Sequence, residues 1–113
     1  MPYINARLTN TVSKEQEVIL KEKLGEAITL LSKGEAYLMV EISDNCRLYF
    51  GGKNDSDIAF FEVKLLGKAR REQYEALTAR ICEIVGEMFS IPGDKVYVKF
   101  EEVEHWGFNG FLF

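Results

Sequence analysis

The sequence predicts an α+β fold: duplicated β-α-β units forming a four-stranded mixed sheet, two helices on one face of it, and a short C-terminal strand region. Three observations predict this. Segments of alternating apolar residues, each about one strand long, occur four times. A longer segment with apolar residues at helical spacing separates the first from the second, and another separates the third from the fourth. The two halves, about 2–50 and 58–104, also share short stretches in the same order. Lys14-Glu15-Gln16 matches Arg71-Glu72-Gln73 near each helix start, and Gly34-Glu35 matches Gly93-Asp94 ahead of each second strand. One domain over 1–113, with a tail after the second half, is the expected organisation.

The first strand is expected over about Tyr3 to Leu8 and the first helix over about Lys14 to Ser32. Ser13 and Gln16 form a capping box at that helix start, where a hydroxyl and a side-chain amide can satisfy two orphan backbone N–H groups. Leu20, Leu24, Ala27, Ile28 and Leu31 share one helical face. The second strand is expected over about Tyr37 to Ser43, followed by a polar, glycine-rich break over Gly51 to Asp57. The second half brings a strand over about Ile58 to Leu66, a helix over about Arg70 to Phe89 and a strand over about Lys95 to Glu102. Tyr74, Leu77, Ile81, Ile84, Val85 and Met88 are the apolar face of that helix.

Right-handed crossovers put both helices on the same side of the sheet. Strand alternation then aims Ile4, Ala6, Leu8, Leu38, Val40, Ile42, Phe61, Val63, Leu65, Val96, Val98 and Phe100 at the helices. The other face receives Asn5, Arg7, Met39, Phe60, Glu62, Lys64, Leu66, Tyr97, Lys99 and Glu101, a mixture too apolar for plain solvent exposure. Contact with other subunits is therefore expected there. The last eight residues, Trp106 to Phe113, carry four aromatics and should dock on their own or a neighbouring chain.

At 47% hydrophobic and 28% charged residues, the composition is that of an ordinary globular protein. A net charge of -4 argues against a nucleic-acid partner, which would require a basic face. No apolar run is long enough to cross a bilayer, so no membrane role is expected, and no signal peptide is visible. Cys46 and Cys82 have no metal-binding or CxxC spacing and read as free thiols in a reducing compartment. A cytoplasmic location is expected, with export without a signal peptide as the alternative. His105, the only histidine, has no nucleophile motif beside it.

Pro2 stands directly behind Met1 and ahead of the first strand. With Met1 removed, its nitrogen is a secondary amine held stiffly by the ring. Such an amine can act as a general base near neutral pH when its surroundings depress its pKa. With Met1 retained, the same nitrogen is an amide without basicity.

Several motifs in fixed order carry a family resemblance. They are Met1-Pro2 before a strand, Ser32-Lys33-Gly34 followed by Tyr37, Phe50-Gly51-Gly52, Leu65-Leu66-Gly67-Lys68, the run from Ile91 to Val98, and Gly107-Phe108-Asn109-Gly110. Over its whole length the chain resembles the tautomerase superfamily, and within it the macrophage migration inhibitory factor-like proteins, including phenylpyruvate and dopachrome tautomerases. The resemblance implies a homotrimer with sheets inward, helices outward and active sites between subunits. It implies Pro2 as catalytic base, with Pro2, Lys33 and Leu66 from one subunit and Tyr97, Lys99 and Phe108 from its neighbour. Tyr37 and Phe113 would line the pocket, and Lys64 and Lys99 would add positive charge. The implied substrate is a small, aromatic 2-oxo acid such as phenylpyruvate, with no metal or organic cofactor. The sequence departs from the family at Lys99, where many members have asparagine, and at Phe108, where tryptophan is usual. Ala59-Phe60-Phe61-Glu62 stands where some cytokine members carry a CxxC, so thiol exchange is not expected.

Each of these residues also has a plainer role open to it. Lys33 complements a helix C-terminus with Gly34 behind it. Tyr97, Phe108 and Phe113 serve as packing residues, and Lys64 and Lys99 as solvated charges. A cytokine-like interaction protein with little or no turnover, acting through a protein receptor, is the alternative to a tautomerase. Decarboxylation, dehalogenation or hydration by the same proline is a third reading, for which Arg7 and Glu62 lie on the right face but no motif speaks.

Overall fold

The computed structural model describes residues 1–113. Its elements run β1 (Pro2–Leu8), α1 (Lys14–Ala27), β2 (Met39–Ser43), β3 (Ala59–Leu66), α2 (Arg71–Phe89), β4 (Val96–Val103), β5 (Gly107–Phe108) and β6 (Phe111–Leu112). The main sheet has the order β2-β1-β3-β4. β1 is parallel to β2, β3 is parallel to β4, and the two pairs meet antiparallel at β1 and β3. The fold is α+β with a four-stranded mixed sheet and two helices, as the periodicity predicts.

Burial follows the strand alternation. Ile4, Ala6, Leu8, Phe61, Val63 and Leu65 are fully buried in one cluster with Leu20, Leu24, Ile28 and Leu31 of the first helical segment. Leu77, Ile81, Ile84 and Val85 of α2 join the same cluster. Leu38, Val40, Ile42, Val96, Val98 and Phe100, from the two outer strands and the residue before β2, pack against its rim. Burial of this apolar surface is what holds the helices to the sheet.

The helix ends are fixed by local hydrogen bonds. Ser13 accepts from the Gln16 N–H at 3.1 Å, and the Gln16 side chain accepts from the Ser13 N–H at 3.0 Å. At α2 the Gln73 side chain accepts from the Arg70 N–H at 2.8 Å, and arginine has no acceptor with which to complete the pair. α1 does not continue to Ser32 as one helix. It tightens into a 3₁₀ turn over Ile28–Leu31 and ends at Ser32 in the left-handed conformation (φ 59°). The Gln73 amide donates to the Leu30 carbonyl at 3.2 Å and to the Ser32 hydroxyl at 3.1 Å, so the start of α2 closes the end of the first helical segment. Ser90 ends α2 with the same left-handed geometry (φ 57°).

Two boundaries differ from expectation for one reason. Tyr37 does not begin β2 but closes a 3₁₀ turn over Glu35–Tyr37, and Lys95 likewise closes one over Gly93–Lys95. Each turn reorients the chain before its strand, a step that apolar alternation does not register. The tail is a two-stranded hairpin, with Phe108 opposite Phe111 across Asn109 (φ 52°) and Gly110 (φ 83°). Two consecutive positive φ values are what a type I′ two-residue hairpin requires, and Asn-Gly adopts them at little cost. No helix is long and apolar enough to cross a membrane, and both cysteines are free.

Candidate active site

Pro2 opens β1 opposite Leu65 of β3 and is buried. The Leu66 N–H donates to the Met1 carbonyl at 3.1 Å, which ties the chain start to the end of β3. Lys33 follows Ser32, and the left-handed turn there sends it toward the same place. Its Nζ donates to the Leu66 carbonyl at 3.2 Å.

A groove of about 550 Å³ opens at this point. Met1, Pro2, Tyr3, Ala36, Tyr37, Leu38, Met39, Lys64, Trp106, Gly107 and Phe108 line it. Its aromatic wall is built by the tail hairpin. Phe108 meets Tyr37 edge-on with ring centroids 5.7 Å apart, and Phe113 stacks on Phe108 at 5.7 Å. The structure thus joins Pro2, Tyr37, Lys64 and Phe108 in one groove, with Lys33 and Leu66 at its edge and Phe113 behind Phe108. Phe108 corrects the expectation that it comes from a neighbouring subunit: it lines the groove of its own chain, edge-on to Tyr37. Tyr3, Met39 and Trp106 are lining residues that sequence reasoning did not single out. The four-aromatic tail was the available signal for Trp106.

Tyr97 and Lys99 stand elsewhere on the sheet. On the face away from the helices, strand register sets up three rows: Met39–Tyr3–Lys64–Glu101, Glu41–Asn5–Glu62–Lys99 and Ser43–Arg7–Phe60–Tyr97. Tyr97 lies two rows from Lys64, roughly 13 Å along the strands. Its ring packs on Phe50 at 5.1 Å and is otherwise exposed. Asn5, the only buried polar residue, accepts a hydrogen bond from the Ser43 hydroxyl at 3.4 Å.

The face is rich in ion pairs. Arg7 pairs with Glu62 at 3.6 Å and Lys99 with Glu101 at 2.8 Å. The Glu101 carboxylate holds the Lys99 ammonium above the usual lysine range, and Lys99 holds the Glu101 carboxyl below its own. The Tyr3 hydroxyl donates to the Glu41 carboxylate, and that bond, with burial second, raises the phenol's pKa. At the groove, the Met1 amine is pushed below the ordinary range of an amino terminus, first by burial and then by the charge on Lys33.

A second cavity of about 620 Å³ lies between the loops after β2 and before β3, lined mainly by polar residues including Thr9, Arg47, Asn54 and Asp57. None of the residues predicted for chemistry lines it. No three His, Cys, Asp or Glu side chains stand close enough to share a metal ion.

The family model for macrophage migration inhibitory factor matches residues 1–113. No curated protein matches the sequence. Among solved structures, Leishmania major MIF2 is similar, with 24% identity, a TM-score of 0.92, and coverage of 100% of this chain and 97% of that one. A macrophage migration inhibitory factor homologue from Prochlorococcus marinus has 26% identity and a TM-score of 0.87, with 98% of each chain covered. A protein described as a fused 4-OT wild-type symmetric trimer has 16% identity and a TM-score of 0.85, covering 97% of this chain and 94% of that one.

Proposed function

The chain belongs to the macrophage migration inhibitory factor family, and on that premise we propose that it is a keto–enol tautomerase of small 2-oxo acids, phenylpyruvate among them, with Pro2 as general base after removal of Met1. The observation that carries this reading is the surroundings of the chain start. An amine there is partly buried, faces the Lys33 charge and is held below its ordinary pKa. A Pro2 amine one residue further along would meet the same two influences, and both favour its neutral, basic form.

In the proposed reaction the Pro2 nitrogen takes a proton from the carbon beside the carbonyl. The C–H electron pair forms the carbon–carbon double bond, and the carbonyl π electrons move onto oxygen. The prolinium then returns the proton to that oxygen, giving the enol. Lys33 attracts the substrate carboxylate and stabilises the enolate charge. Tyr37, Phe108 and Phe113 provide a face for an aromatic ring.

The active assembly is proposed as a homotrimer, in keeping with the symmetric-trimer relative. Exposed Met39, Tyr49, Tyr97, Phe111 and Leu112 on the isolated chain support burial against other subunits. In that assembly Tyr97 and Lys99 reach the groove of a neighbouring subunit, since in their own chain they lie well away from Pro2.

The test joins intact-mass measurement with a phenylpyruvate enol assay. A chain that begins at Pro2 and turns over, with activity lost in Pro2→Gly, supports the reading. A Pro2→Gly variant as active as the parent overturns it. A chain that keeps Met1 and binds 2-oxo acids without turnover favours the interaction-protein alternative.

A further inference from the structure

We infer that the groove beside Pro2 is built for a substrate with two carboxylates and that Lys64 receives the second; this rests on the proposed 2-oxo acid site and narrows its substrate class. The molecule as a whole is acidic, with 18 Asp and Glu against 14 Lys and Arg. Yet no Asp or Glu lines the groove. One ammonium group, that of Lys64, lines it instead, and Lys33 stands at its edge. Lys33 uses one donor on the Leu66 carbonyl and keeps two free. Lys64 lines the groove itself, and its nearest specific partner is the Tyr3 ring, 5.9 Å from Nζ to centroid.

The rest of that sheet face explains why Lys64 is unpaired. Three carboxylates stand there, and each is already engaged. Glu62 pairs with Arg7 at 3.6 Å, and Glu101, directly across from Lys64, pairs with Lys99 at 2.8 Å. Glu41 accepts the Tyr3 hydroxyl. Of the three cations on the face, Arg7 and Lys99 form ion pairs; Lys64 forms none and acts on Glu101 only as a nearby charge. With a monocarboxylate at Lys33, Lys64 is answered only by the charge of Glu101, which Lys99 already shares, in a groove walled by aromatic rings. A dicarboxylate satisfies both, one group at each ammonium.

The experiment compares two non-reacting probes that differ by a single carboxylate, benzoate and isophthalate. Their binding to the full chain beginning at Pro2 is measured by calorimetry at fixed ionic strength. Isophthalate is expected to bind roughly tenfold more tightly or better, the scale of one added charge-assisted hydrogen bond. In Lys64→Met and Lys64→Gln that preference should fall to within about twofold, while Lys64→Arg retains it. Two neutral variants and a charge-retaining one keep the result readable if either neutral variant folds poorly. Equal binding of the probes to the parent, failure of both to bind, or a preference that survives in the neutral variants overturns the inference. Repeating the titration in Pro2→Gly separates this result from the base: turnover tests Pro2, and the probe preference tests Lys64.

Discussion

The Lys33 ammonium donates to the Leu66 carbonyl at 3.2 Å, joining the end of the first helical segment to the end of β3 beside the chain start. One residue thereby bridges two distant parts of the chain and places a positive charge next to the amine.

Replacing Pro2 by glycine keeps an amino terminus but loses the secondary amine and its stiffness. Phenylpyruvate tautomerisation should fall by roughly a hundredfold or more, the usual range for loss of a positioned general base. The assay is enol formation followed by absorbance, with circular dichroism to show that the fold persists.

The pH dependence follows from the sign of the amine's shift. The base works only when neutral, so kcat/KM should fall as pH drops through its pKa; the burial and Lys33 charge that lower the Met1 amine should move that point downward for Pro2 as well. Lys33→Met removes one of the two influences. Its acid limb should therefore move to higher pH, and its KM for a 2-oxo acid should rise by roughly tenfold. A pH–rate profile of both proteins measures each effect.

In the core, Phe61 is fully buried on β3 between the helices. Phe61→Ala should cost about 3–5 kcal/mol through lost burial and the cavity left behind. Urea unfolding followed by fluorescence provides the check.

At the surface, Ser13→Ala removes the acceptor for the Gln16 N–H at the start of α1. The expected loss is about 1 kcal/mol, with little effect on turnover because this cap lies outside the groove. Thermal melting and the enol assay on the same sample separate the two.

Sedimentation equilibrium should give three times the chain mass. A monomer at micromolar concentration would leave Tyr97 two rows, roughly 13 Å, and Lys99 one row, roughly 7 Å, along the strands from Lys64 and remove both from the proposed site.

Strands and helices were legible because burial follows simple periods. Ile4, Ala6 and Leu8 alternate with Asn5 and Arg7, and α1 and α2 begin where Gln16 and Gln73 can reach back to the residue before the helix. The short 3₁₀ turns were not legible, because they bury no side chain of their own: Glu35–Tyr37 and Gly93–Lys95 contribute none to the core. Pro2, Lys33 and Lys64 were visible as residue types, but their convergence depends on long-range register and on the turn at Ser32. The tail hairpin had a local signal in Asn109-Gly110 between two aromatic pairs, whereas the place of Phe108 depends on its long-range contact with Tyr37.

The bond from the Leu66 N–H to the Met1 carbonyl gives excision of the first residue a double effect. Trimming it converts an inert peptide nitrogen into a proton acceptor and, in the same cut, strips a backbone donor on β3 of its mate. In the proposed enzyme that freed donor would stand beside the Pro2 amine. On the proposed reading, one cleavage would thus unveil a base and a backbone donor together.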